Sequence, residues 1–351
     1  FSTLAYVLDG RHSAIWGPDN VEERLTIVDE IVRLADEIGD REREIQGRFY
    51  RAFALLELGH TQAVYDELRS MEQLAGELRQ PAQQWYVAVL RTILALFAGR
   101  LEEAKQGLLE VPPRDFVEVQ QTYFVHRETG LLEEVVEETE RSVEEMPTIA
   151  LLRFLVADLY SRLGQNQEAQ AILDRFAETD FYIWVDNDKL AGWCLLAEVC
   201  SSLEDSTHAS RLYELLLPHA RRNAVSHPVC ALGSVSRYLG LLASTLGHFD
   251  DAERHFEAAL EMNERMGARP WVAHTDHDYA RVLLARGAED DETKAIELLR
   301  AALTTARELG MEPLAGTVSA LVTELERIGV APIGGSPLGP PEGRESAPTR
   351  R

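Results

Sequence analysis

The run RYLGLLASTLGHFDDAERHFEAALEMNERMG, residues 237–267, carries two apolar stripes separated by one glycine. Tyr238, Leu239, Leu242 and Leu246 recur at i, +1, +4 and +8 before Gly247, and Phe249, Ala252, Phe256, Ala259 and Leu260 form the matching stripe after it. That spacing puts apolar side chains on one face of a helix, whereas a half-buried strand needs strict alternation. Gly240 stands seven residues before the turn and Phe256 nine after it. A small residue lets two antiparallel backbones approach, and a large one a turn further on fills the space beyond. The stretch predicts a helical hairpin.

The same hairpin recurs along the chain. Taking the turn glycine as the mark, or Glu204 where glycine is missing, gives positions 59, 99, 130, 164, 204, 247 and 287, spaced by 31–43 residues. Ala52, Ala157, Ala197, Gly240 and Ala280 supply the small residue before the turn; Thr92 and Tyr123 depart from it. Val64, Ala104, Val135, Ala169, Ala209, Ala252 and Ala295 supply one after it, and Leu68, Leu108, Leu173, Tyr213 and Phe256 the large one. Gly39, Gly267 and Gly310 close charged helices, and Pro81, Pro147, Pro270 and Pro313 follow near such ends. In WGPDNVEERL, Asp19 or Asn20 caps a further helix, so residues 1–38 form an eighth, atypical hairpin. A fixed period of this size is the signature of a solenoid. The expectation is all-α, about eight hairpins and sixteen helices over residues 1–330, with no β-structure. Residues 331–351 hold five of the fourteen prolines and read as a flexible tail.

Trp193-Cys-Leu-Leu196-Ala197 followed by Tyr213, and Leu239-Gly240 followed by Gly247, Phe249, Ala252, Phe256, Ala259 and Leu260, resemble a tetratricopeptide repeat. The run 237–287 resembles more specifically a C-terminal helical region of large bacterial regulators. There it follows a STAND-type ATPase module, itself fused to a cyclase, a protein kinase or a LuxR-type DNA-binding domain. The resemblance spans about residues 1–328 and is strongest over 190–310. It implies a right-handed superhelix whose concave groove binds a protein, peptide or small effector, with no cofactor of its own. Three departures stand out. No Gly-x-x-x-x-Gly-Lys-Ser/Thr motif occurs, no helix-turn-helix follows residue 328, and residues 105–145 match the repeat poorly.

Composition narrows the function classes. A net charge of −24 argues against nucleic-acid binding, because each phosphate contact requires a cation. No apolar run approaches the length of a membrane span. Three cysteines, Cys194, Cys200 and Cys230, make no disulfide framework and fit a reducing cytoplasm. The chain opens FSTLAYVLDG, without initiator Met, basic leader or cleavage site, and reads as a fragment of something longer. Three Lys (Lys105, Lys189, Lys294) against 32 Arg suggest a GC-rich genome.

Two constellations carry possible chemistry. In His274-Thr-Asp276-His277-Asp278, His274 stands i, i+3 from His277 and i, i+4 from Asp278, a spacing that can hold one metal ion. A polar helix face, with Tyr279 and Leu283 packed behind it, is the commoner meaning of such a run. The second constellation is geometric. First helices of stacked pairs line the inner groove, and their inner faces carry Phe124, Arg127, Phe154, Asp158, Glu198, Arg237, His274, His277 and Arg281. Cations there suit an acidic peptide or anionic ligand, or pair with Glu and Asp across repeats. The leading expectation is a non-catalytic regulatory solenoid. Its rivals are a metal-dependent all-α enzyme using residues 274–278, and a scaffold or homodimerisation module.

Overall fold

A computed structural model describes residues 2–111, 116–183 and 186–327; the tail expected at 331–351 lies outside them. The helices are α1 (Ser2–Ala14), α2 (Val21–Ile38), α3 (Arg41–Glu57), α4 (Thr61–Leu78), α5 (Pro81–Ala98) and α6 (Leu101–Leu108). There follow α7 (Phe116–Thr129), α8 (Val136–Glu145), α9 (Ala150–Arg162), α10 (Asn166–Ala177), α11 (Lys189–Ser202) and α12 (Ser206–Leu216). The chain continues with α13 (Val235–Thr245), α14 (Phe249–Met266), α15 (Arg269–Arg286), α16 (Asp291–Leu309) and α17 (Glu312–Arg327). Consecutive helices pack as hairpins, giving an all-α repeat architecture. Among the described residues there are seventeen α-helices, the seventeenth an unpaired helix after the eighth hairpin. No described helix is long and apolar enough to cross a membrane.

Every hairpin after the first turns on a left-handed residue. Gly247, at φ 76°, joins α13 to α14, and Glu204, at φ 53°, makes the same turn between α11 and α12 where glycine is absent. The small-on-large contact is equally concrete. A Cβ added at Gly240 would lie 2.8 Å from the Phe256 ring, so α13 and α14 approach as closely as glycine allows. At Thr92 the roles exchange. The small partner is Gly107 on α6, whose added Cβ would lie 2.2 Å from Thr92 Oγ1, while that hydroxyl donates back to Ala88 O at 2.9 Å.

One element departs from the all-helical expectation. Residues Asn223–Ser226 (β1) and Cys230–Ser234 (β2) form an antiparallel hairpin around His227 and Pro228. Both strands are buried along their whole length. A strand buried on both faces shows no polar alternation, so AVS and VCALG lacked the period that would have marked them. Helices supply the polar partners the hairpin backbone needs. Gln121 Nε2 donates to Val229 O (3.3 Å) and Tyr238 OH to Leu232 O (2.7 Å), while the hairpin's own Asn223 Nδ2 donates outward to Leu56 O of α3 (3.0 Å). Asn263 Oδ1 accepts from Ser234 N at 2.8 Å.

The hairpin sits where the coil meets itself. Its strands touch α3 and α5 from early in the chain and α11, α13, α14 and α15 from late in it. The early turns rest on the late helices. Added Cβ atoms at Gly59, Gly99 and Gly130 would meet Met262 (3.1 Å), Leu309 (2.7 Å) and Pro313 (3.4 Å). The inner surface of the superhelix is therefore packed core, filled by β1 and β2.

Candidate functional site

The inner faces of α7, α9, α11, α13 and α15 bring a set of charged side chains to one place. Glu198 on α11 is the hub. It accepts from Arg127 Nη2 through both oxygens (3.1 and 2.9 Å), from Arg162 Nη2 (2.9 Å) and from Arg237 Nη1 (2.5 Å). Asp158 on α9 takes Arg162 Nε (2.9 and 3.0 Å), Arg127 Nη1 (3.3 Å) and the Tyr123 hydroxyl (2.7 Å). On α15, Asp278 accepts from Arg237 Nε at 2.8 Å and meets His277 Nδ1 at 3.0 Å. His274 Nε2 reaches Glu128 Oε2 at 2.9 Å, closing a contact between residues 146 positions apart. Arg127 also lies over the Trp271 ring, 5.7 Å from its centroid.

Burial makes these contacts consequential. Arg127 is 2% exposed, Asp158 1% and Arg237 4%, while the Arg162 side chain keeps 29%. Desolvation alone would push each carboxyl up. At Glu198 the three guanidiniums outweigh it and hold the group well below the usual carboxylate range. Burial opposes the same outcome at Glu128, where the His274 charge and hydrogen bond, with Arg127 and Arg162, bring it down to about 2. Desolvation is the largest single influence on Asp278 and raises it, yet Arg237 together with His277 and His274 outweighs that and holds the group low. Three guanidiniums face four carboxylates here, with two imidazoles at the margin.

The nine residues expected on an open groove wall are thus placed as follows. Arg127, Asp158, Glu198, Arg237, His274 and His277 join the network. Phe124 and Phe154 are buried beside it, Phe154 beneath Gly192 and stacked on Phe176 at 4.6 Å. Arg281 stands apart on the exposed side of α15. The wall is buried and its charges are turned on one another, because the coil and its β-hairpin occupy the axis. Sequence reasoning missed Tyr123, Glu128 and Arg162. The i, i+4 spacing of Asp158 and Arg162 was the available signal.

The run 274–278 splits rather than converging. His274 turns to Glu128 and His277 to Asp278, while Asp276 is raised to about 7 by burial and the neighbouring Glu264. The three thiols are buried, and burial pushes Cys200 up to about 12. Open space lies elsewhere. A groove runs along α10 and the α11–α12 turn, lined by Asn166, Gln167, Gln170, Ala171, Asp174 and Glu204, with Ser202 and Leu203 behind. No cation stands among these lining residues.

Residues 239–265, the heart of α13 and α14, match the tetratricopeptide repeat family. Among solved structures, the chain is similar to BtubC (BKLC) from P. vanneervenii at 18% identity, covering 64% of this chain and 98% of that one, with a TM-score of 0.34. It is similar also to the P58(IPK) TPR domain at 16% identity, covering 93% and 95%, with a TM-score of 0.25. No curated protein matches the sequence. The chain is an all-α helical-repeat protein that carries a tetratricopeptide-like region.

Proposed function

We propose that this chain is a non-catalytic partner-binding module, the regulatory helical-repeat region of a bacterial signalling ATPase, and that a basic protein segment docks in the α10–α12 groove. The observation that carries the reading is the groove's chemistry. Asn166 and Gln167 present exposed amides that both donate and accept, which suits the backbone of an extended segment. Asp174 and Glu204 add negative charge without a compensating lysine or arginine in the lining, and the whole chain carries −24. Such a field attracts a cationic partner and speeds its encounter.

In this reading the inner network takes the coupling role rather than first contact. Glu198 on α11 ties α7, α9 and α13, so displacement of one hairpin alters the pairing of its neighbours. Three buried, unpaired thiols support a reducing compartment, the cytoplasm. The ATPase context rests on the resemblance of residues 237–287 to the helical regions of such regulators.

The test is fluorescence anisotropy of labelled Lys/Arg-rich peptides against the purified chain, at low and high salt. Binding should weaken with salt and fall at least tenfold in Ala171→Arg and Glu204→Arg. Equal binding by both variants sinks the groove, and measurable ATP hydrolysis or cyclase turnover by the chain sinks the non-catalytic reading.

A further inference from the structure

A narrow slot opens where the first two hairpins meet the β-hairpin and α11, away from the α10–α12 groove. Trp16 and Pro18 from the α1–α2 connection, Phe53 on α3 and Leu190 on α11 form apolar walls, with Arg24, Glu57 and His227 set among them. Free space between the walls, mouth included, comes to about 270 Å³. It narrows inward to a floor of about 10 Å³, the room of one water-sized group. Three polar atoms of these lining residues have no hydrogen-bond partner among the described residues: Arg24 Nε, Glu57 Oε1 and His227 Nε2. Arg24 is 1% exposed and Glu57 7%, so bulk water does not serve them. Other contacts hold each group in place. Arg24 Nη2 donates to Glu57 Oε2 at 2.5 Å, and the guanidinium lies over the Trp16 ring, 5.2 Å from its centroid. The His227 ring stands edge-on to Phe53 at 4.6 Å and 4.3 Å from Trp16, while its carbonyl accepts from Asn187 Nδ2 at 2.9 Å. Buried polar atoms left unpaired cost free energy, and a ligand that pairs them recovers it.

We infer that this slot binds a small neutral alcohol of the phenol class, its hydroxyl on the floor and its ring against Trp16. A hydroxyl matches the floor in size and in bonding, accepting from Arg24 Nε and donating to Glu57 Oε1. Burial, with His12 and Arg24 behind it, lowers His227 to about 3, so the ring is neutral at pH 7. Neutral imidazole gives or takes a hydrogen at Nε2, and a hydroxyl meets either case. The walls select the body. Half-buried Trp16 offers a stacking face, whereas a polyol would press unpaired hydroxyls onto Pro18, Phe53 and Leu190. A charged ligand is disfavoured because Arg24 and Glu57 already offset one another. The walls come from both ends of the sequence, so a bound ring clamps the first hairpins onto the late coil.

The experiment titrates the full chain with phenol, anisole and glycerol by calorimetry, and repeats the phenol titration on Trp16→Ala and Glu57→Gln. Wild type should take up one phenol and bind anisole at least tenfold more weakly, because anisole has no hydrogen to give Glu57. Glycerol should show no binding. Both variants should weaken phenol at least tenfold. Comparing phenol with anisole needs wild type alone, so the inference stays testable if a variant fails to fold. No phenol uptake by wild type overturns it. So does equal uptake of phenol and anisole, which means that the slot reads shape and not the hydroxyl. Phenol binding that both folded variants leave unchanged places the ligand elsewhere and overturns it too.

Discussion

Glu198→Gln is the most telling single change, because it removes one charge and almost no volume. The carboxylate receives four contacts from three guanidiniums, at 2.5 to 3.1 Å. Breaking a buried pair by deleting one partner costs roughly 3–5 kcal/mol, since the other charge stays buried and uncompensated. Arg162 can turn its partly exposed head to water, but Arg127 and Arg237 cannot, so about 4 kcal/mol is expected. With an unfolding entropy of about 2.1 cal/mol/K per residue, a chain of this size shifts by roughly 1.4 °C per kcal/mol, so the midpoint should fall by about 5 °C. The pH dependence separates charge from shape. Glu198 is depressed in the folded state, so its contribution is complete above the unfolded carboxyl value of about 4.3 and is lost as pH falls below it. The gap between wild type and variant should be full at pH 7 and shrink below about pH 4. Circular dichroism melts and urea titrations across that range measure it. A gap under about 1 kcal/mol at pH 7, or one that persists unchanged to pH 3, refutes the reasoning.

Three further outcomes follow from local geometry. Gly192→Ala should destabilise by about 1–3 kcal/mol, although alanine is the better helix former, because its Cβ would lie 2.4 Å from the enclosed Phe154 ring. Gly76→Ala in α4, with nothing within 4 Å, should instead stabilise by about 0.5–1 kcal/mol, and paired melts check the opposite signs. Asp276→Asn should stabilise the chain at pH 8 by on the order of 2 kcal/mol and not at pH 4. Its acid is held near 7 in the fold, by burial first and Glu264 second, so wild type loses stability as pH rises from about 4 through 7. Native protein should resist thiol reagents at pH 8 and release three equivalents in urea, since Cys194, Cys200 and Cys230 are all buried.

What the sequence made legible was whatever depends on neighbours within one hairpin. Gly240 against Phe256 is such a pair, as is the turn at Glu204, where a non-glycine takes the left-handed conformation because the surrounding helices demand it. Thr92 looked like a departure only because the small residue had moved to Gly107, on the other helix of the same pair. The β-hairpin was illegible for a different reason. Its strands answer to helices far along the chain, through Asn223 to Leu56 and Gln121 to Val229, and a locally apolar run carries no trace of such partners.

The inner face shows where the two kinds of information part. Helical period assigns Arg127, Asp158, Glu198, Arg237 and His277 to the inner faces of their helices, but period says nothing about what those faces meet. Whether a solenoid leaves a groove depends on its small per-hairpin rotation, which accumulates into an open curve or a closed coil. Here it closes, so the early turns bear on the late helices and His274 reaches Glu128. A trace of this did exist in the sequence: Gly99 and Gly130 sit where coil meets coil. The left-handed turns already account for those glycines, at φ 82° for both, so their second duty was hidden behind the first. A stack that closes must then neutralise its own inner charges. Glu198 does so by drawing three arginines from three different helices, α7, α9 and α13.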